Sequence, residues 1–184
     1  MKKIIPLLIT LFVLTSCEDS NKTQLVKIKN QYAMEIPASL SVTTDLNDEA
    51  SLQYQNVFKE FYIITIDEPK VELKKALAEN ELSSEYSADL KGYTNLLLTN
   101  VKASIKLKSM SEIEETTING LKAQIVSIEG NLDNLDIYWK FAFIEGKTNY
   151  YQIMAWTTMD HKMNYEKQID KALHSFKELN KSIK

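Results

Sequence analysis

Two histidines, one cysteine and a set of aromatic side chains are the residues here with most chemistry to offer, and their spacing limits it. His161 and His174 stand 13 residues apart, with His161 beside Asp160. A shared metal site would need further ligands from elsewhere, so both read as surface or helix-end histidines rather than ligands or acid–base groups. The single cysteine, Cys17, excludes an internal disulfide and a multi-cysteine metal site. The chain lacks a Gly-x-Ser-x-Gly elbow, and its four glycines are too widely spaced for a phosphate loop. Asp133-Asn134-Leu135-Asp136 groups oxygen ligands without the spacing, glycine or closing glutamate of a calcium loop. Glu114 and Glu115 are adjacent, but on a strand they point to opposite faces. No catalytic residue, metal ligand or cofactor is assigned. The aromatic set remains: Tyr138, Trp139, Tyr150, Tyr151 and Trp156. Such residues form either a recognition surface or a core layer of cross-strand pairs. Tyr138, Tyr150, Tyr151 and Trp156 are the candidate partner-binding residues. The core layer beneath the two helices is the favoured reading; if any member is exposed, Tyr138 and Tyr150 are the ones expected, because Trp139 and Phe141 share an apolar face.

Composition narrows the classes further. The 184 residues are 44% hydrophobic and 26% charged, the balance of a globular protein. All 22 basic residues are lysine, against 25 acids, for a formal charge of −3. That balance argues against a nucleic-acid partner, which calls for a basic stripe. The guanidinium fork that usually grips phosphate and carboxylate is missing from the composition.

The N-terminus speaks to compartment. Lys2 and Lys3 precede an apolar run, Ile4 to Leu14, far short of the ~20 residues that span a bilayer but suited to a signal-peptide core. The run ends in Leu14-Thr15-Ser16-Cys17, which resembles the bacterial lipobox. That resemblance implies a leader over residues 1–16, removed before Cys17, and a mature N-terminus carrying diacylglycerol on sulfur and usually a further acyl chain on nitrogen. Two or more chains anchor stably where one binds only marginally. Loss of Lys2 and Lys3 with the leader leaves 20 lysines against 25 acids, a formal −5. Lipid rather than surface charge should therefore hold the protein to an outer-membrane or periplasmic surface. Residues 17–24 are polar and without apolar periodicity, as expected of a lipidated flexible tether. Glu18 and Asp19 either resemble a sorting address or belong to a plain solvated linker.

One domain, residues 25–184, is expected beyond the tether, since no repeat or Pro/Gly/Ser-rich linker divides it. Strands are predicted at Gln31 to Ile36, weakly at Ser41 to Leu46, around Leu52 to Asn56, and most strongly at Phe61 to Ile66. From Val71 to about Asn100 the apolar spacing becomes three and four, predicting two helices or one broken near Leu82-Ser83-Ser84. Tyr86 belongs to that stripe, and Gly92 weakens the second helix. Strands return at Glu112 to Ile118 and Leu121 to Glu129 around an Asn119-Gly120 hairpin. A loop at Gly130 to Asn134 leads to Leu135–Ile144 and then Asn149–Thr158. The last element is read as an amphipathic helix, opening at Asp160 as N-cap and running through Phe176 and Leu179 to the end. Residues 135–144 are apolar on both faces, so helices should cover the sheet on each side. Segregated runs of strands and helices give an α+β class: an α/β/α sandwich on a twisted antiparallel sheet of two meanders.

The order of elements resembles PsbP-like domains. The motifs are Tyr32-Ala33-Met34-Glu35-Ile36-Pro37 at the start, the Asn119-Gly120-Leu121-Lys122-Ala123 turn, and Trp156, Ile169 and Ser175-Phe176 at the close. The resemblance implies a non-catalytic binding or assembly module, because that fold serves photosystem extrinsic subunits, a Ran-binding factor and envelope lipoproteins alike. The expected function is a lipid-anchored envelope protein that engages a protein partner, without enzymatic activity. The alternative is a small-ligand or metal binder with a pocket between sheet and helices.

Overall fold

The structure, a computed structural model, describes residues 22–28 and 30–179. Cys17, the expected leader and most of the expected tether lie outside the described residues. The large sheet is assembled from β3 (Ser41–Val42), β4 (Leu52–Asn56), β5 (Phe61–Pro69), β6 (Lys106–Met110), β7 (Glu114–Ile118), β8 (Leu121–Leu132), β9 (Leu135–Glu145) and β10 (Asn149–Thr158). Its order is β3-β4-β5-β10-β9-β8-β6, with β7 also pairing β8, and every pairing is antiparallel. A smaller sheet of β1 (Thr23–Ile28), β2 (Tyr32–Pro37) and β11 (Lys177–Glu178) packs beside it. The helices are α1 (Lys70–Glu79), α2 (Leu90–Ser104) and α3 (Lys162–His174).

The two-faced reading of β9 accounts for the layering. Tyr138, Ala142 and Ile144 face a core closed by α3 (Ile169, Ala172, Leu173) and by β2 (Tyr32, Met34, Ile36). Ile137, Trp139, Phe141 and Phe143 face the opposite core, closed by Leu73 and Leu77 of α1 and Leu90, Tyr93 and Leu98 of α2. A strand apolar on alternate residues of both registers needs cover on both sides to keep that surface from water. The helices supply it. The α+β class and the sandwich are as expected.

Boundaries differ where local signals compete. Thr23 and Gln24, placed by sequence in the tether, belong to β1, and Val26 and Ile28 turn inward on it. Of the weak Ser41 to Leu46 strand, only Ser41–Val42 pairs. Tyr86 precedes α2 rather than lying in it. β8 runs through Gly130 to Leu132, where a loop was expected. The turn is made instead by Asp133 and Asn134, both left-handed (φ 51° and 68°), which short polar side chains tolerate. A Cβ at Gly130 would press on Ile105 Cδ1 and the Lys106 carbonyl at 3.0 Å, so the glycine admits the α2–β6 junction there. β6 has no alternation to betray it, being an edge strand exposed throughout.

The final helix stops at His174. Asp160 sits in a 3₁₀ turn, Met159–His161, and does not cap α3. Phe176 keeps the helical spacing of Ile169 and Leu173, yet it leaves the helix to stack between Tyr32 and Tyr151. Lys177 and Glu178 then extend the small sheet beside β2. Burial of a large ring in a waiting aromatic pair outweighs one more turn of helix at a chain end.

Candidate functional site

Three of the four candidate recognition residues are core. Tyr138 is 1% exposed, and Tyr150 and Tyr151 are each 2% exposed. The core-layer reading holds for these three, and Tyr138 and Tyr150, the members expected at the surface if any were exposed, are buried. Both faces of β9 and β10 are covered here, so alternation away from Trp139 leads into the second core rather than into water. Their hydroxyls are all engaged: Tyr138 donates to Glu166 Oε1 at 3.2 Å, Tyr150 to the Ala88 carbonyl at 3.2 Å, and Tyr151 to Glu178 Oε1 at 3.2 Å. Burial pushes the Tyr138 hydroxyl up to about 12, with Glu166 adding to the rise. These groups stay neutral and structural at ordinary pH.

Trp156 differs. Its strand position pairs with Tyr62 on β5 and Trp139 on β9. The Tyr62 and Trp156 rings stack with centroids 5.1 Å apart and planes 11° from parallel. Both side chains are half-buried, and Trp156 packs against the core that holds Trp139. Burial, then Glu60, raises the Tyr62 hydroxyl above its ordinary value, so it too remains a neutral donor and acceptor. A flat, half-covered aromatic pair with polar tips near the ends of β5 and β10 is suited to a protein partner. Tyr62 was missed as a site residue because it sits in the strongest strand of the chain, where aromatics signal core. Only the cross-strand register brings it beside Trp156.

The remaining chemistry-bearing groups are held in structural pairs. His161 Nδ1 lies 3.3 Å from Glu60 Oε2, and the Thr158 hydroxyl donates to that oxygen at 2.7 Å. His174 Nδ1 faces the Asp170 carbonyl at 2.8 Å, at the other end of α3. Asp136, in the segment weighed as a calcium loop, is bound by Lys108 at 2.6 Å and Asn131 at 2.8 Å. Glu115 accepts from Gln124 Nε2 at 3.4 Å. Among the described residues no three His, Cys, Asp or Glu side chains converge on a common point where a metal ion could sit. An open cleft of about 230 Å³ does lie beside the start of α2, edged by Asp89, Lys91, Glu115, Thr116, Lys122 and Glu145. Its walls are the start of α2 on one side and β7, β8 and the end of β9 on the other, so it lies between helix and sheet, where the alternative reading needs a pocket, and is open to solvent.

Lys162 spans the α3 side of the fold, donating to Glu129 at 2.8 Å while its ammonium lies 4.8 Å from the Tyr138 ring centre. Lys140 pairs with Asp170 in the same layer. The Lys162 hydrogen bond, helped by the Ser109 hydroxyl and opposed by partial burial, holds the Glu129 carboxyl below its usual range. Its folded value is thus lower than its unfolded value of about 4.3, so its stabilisation is present above that value and lost as pH falls through the folded value. Glu129→Gln should therefore lower the melting temperature at pH 7, and the difference from the parent should shrink as pH falls below ~4. Melting curves of both proteins across that range check it.

No family model matches the chain, and no curated protein sequence matches it. Solved structures do. Cyanobacterial PsbP (CyanoP) from Synechocystis sp. PCC 6803 superposes with a TM-score of 0.55 at 10% identity, covering 90% of this chain and 98% of CyanoP. LpqN, involved in cell envelope biogenesis of Mycobacterium tuberculosis, gives 0.51 at 10% identity over 86% of this chain and 91% of LpqN. The domain thus has a PsbP-like fold. Among the described residues no helix is long and apolar enough to cross a membrane.

Proposed function

We propose that the chain is a cell-envelope lipoprotein, anchored through lipid on Cys17, whose PsbP-like domain is a non-catalytic binding or assembly module for a protein partner. The observation that carries the anchor is the position of the only cysteine, at the end of an 11-residue apolar run and directly after Leu14-Thr15-Ser16. The LpqN likeness, from a protein of envelope biogenesis, is in keeping with it. For the binding surface, the Tyr62–Trp156 pair replaces the four-residue set suggested by sequence. Both cores are filled with aromatic and aliphatic side chains, and half-buried stacked rings with polar tips suit a macromolecular face.

Crosslinking in intact membranes tests this. A partner captured by the wild type should be lost from Trp156→Ala and Tyr62→Ala, because a hot-spot truncation of about 2 kcal/mol weakens binding roughly 30-fold. Both variants should keep a cooperative melting transition. Equal recovery by the variants, or recovery of bulk lipoproteins only, would contradict the assignment.

A further inference from the structure

The distribution of exposed apolar side chains is lopsided. Phe58 is 99% exposed, and Val57 beside it is also exposed, in the 3₁₀ turn that joins β4 to β5. The turn is held at both ends: Asn56 Oδ1 accepts from the Lys59 amide at 3.0 Å, and Glu60 closes it in the left-handed conformation at φ 48°. The ring is thus displayed by a fixed turn.

Strand register shows what shares that end of the sheet. Phe61 pairs with Thr157, Thr158 with Ile137, Ile137 with Gly130, and Gly130 with Leu107. The β8–β9 turn, the start of β6 and the start of α3 therefore lie at the same end as the Val57–Phe58 turn. They bring exposed Leu107, Leu132, Leu135 and Met163 with them. The charges around them are mixed: Lys59 with Glu60, Lys108 with Asp136.

The chain also enters the fold near this end. The Ala38 amide donates to the Lys22 carbonyl at 2.9 Å, and Asn56 Nδ2 donates to the Ser39 carbonyl at 2.8 Å. Lys22 is thus linked through two hydrogen bonds and one peptide step to the residue that caps the Val57–Phe58 turn. Five residue steps separate Cys17 from Lys22, a reach of at most about 18 Å when fully extended.

We infer that the Val57–Phe58 turn is a second membrane contact, inserting into the interfacial layer of the bilayer that holds the Cys17 lipid. This rests on the lipid anchor proposed above. A short tether leaves the attached end of the domain within reach of the surface, and an exposed phenylalanine there regains an apolar environment in the ~5–10 Å boundary that interfacial side chains occupy. Mixed charge gives no preference for anionic lipid, so the contact is apolar and insensitive to salt.

The test uses the lipidated protein on phosphatidylcholine vesicles. With the Cys17 sulfur occupied by lipid, Phe58→Cys offers one reactive thiol for an environment-sensitive fluorophore. Val71→Cys, at the exposed start of α1 and the opposite end of β5, is the control. Emission at position 58 should rise several-fold on vesicle binding, shift to the blue, persist in high salt and be quenched by brominated acyl chains. Emission at position 71 should not change. Phe58→Trp, which needs no label, should show the same brominated-lipid quenching. Flotation with the vesicles reports the anchor separately. Flotation with position 58 still open to aqueous iodide overturns this inference alone, whereas failure to float overturns it together with the anchor.

Discussion

Phe176→Ala is expected to lower the unfolding free energy by about 3–5 kcal/mol, the range for deleting a buried phenylalanine ring. Phe176 is wholly buried, with its ring centre 5.2 Å from that of Tyr32 and 4.8 Å from that of Tyr151. Its carbonyl accepts from Asn119 Nδ2 at 2.8 Å, so the same residue ties the β7–β8 hairpin to the end of α3. The substitution opens a cavity where three elements meet, and the large sheet cannot collapse into it without breaking strand pairs. For a domain of this size each kcal/mol moves the melting temperature by about 2–4 °C, so a fall of roughly 10 °C is expected. Phe176→Leu should recover part of it by refilling volume. Urea titration measures the change, and a loss below about 1 kcal/mol would show that Phe176 does not hold the small sheet in place.

Gly92→Ala tests sign as well as size. Alanine in a helix is ordinarily favoured over glycine by about 1 kcal/mol. Here the expected outcome is the reverse, a loss of about 2 kcal/mol or more, at the upper end of what overpacking costs. Asp89 caps α2 by accepting from the Gly92 amide at 2.8 Å, and the Ser87 hydroxyl donates to the same carboxylate oxygen at 2.7 Å. These bonds fold the 87–89 segment back across the helix start. A Cβ on Gly92 would overlap the Ser87 carbonyl, far inside contact distance, and the obstacle is backbone that cannot rotate away. An alanine variant as stable as the parent would refute that packing.

The contrast between these residues explains what the sequence could and could not reveal. Period-two alternation is set within one strand, so the two faces of residues 135–144, the Asn119-Gly120 turn and the extent of β10 were all legible. Phe176 was not: its spacing fits a helix, and its real partners lie about 145 residues earlier in Tyr32 and 25 earlier in Tyr151. Gly92 read as a weakness in a helix because the folded-back Ser87 carbonyl is invisible to periodicity. The site followed the same logic. Trp156 was legible as an aromatic strand residue, but its place at the far end of β10 from the β9–β10 turn, beside Tyr62, came only with register. Tyr138, Tyr150 and Tyr151 are drawn into the core by helices on both faces, as the two-faced apolar pattern of the sheet had indicated.

Lipid on Cys17 is what would hold the domain, and the Phe58 turn with it, at a membrane. Intact mass and peptide mass spectrometry of protein extracted from native membranes measures it directly. The predicted result is a first residue at Cys17, carrying diacylglycerol on its sulfur and an acyl group on its amine, with Cys17→Ala material absent from the detergent-rich phase. An unmodified Cys17 thiol, or a mature chain starting elsewhere, would contradict the anchor and with it the membrane-facing orientation of the Phe58 turn.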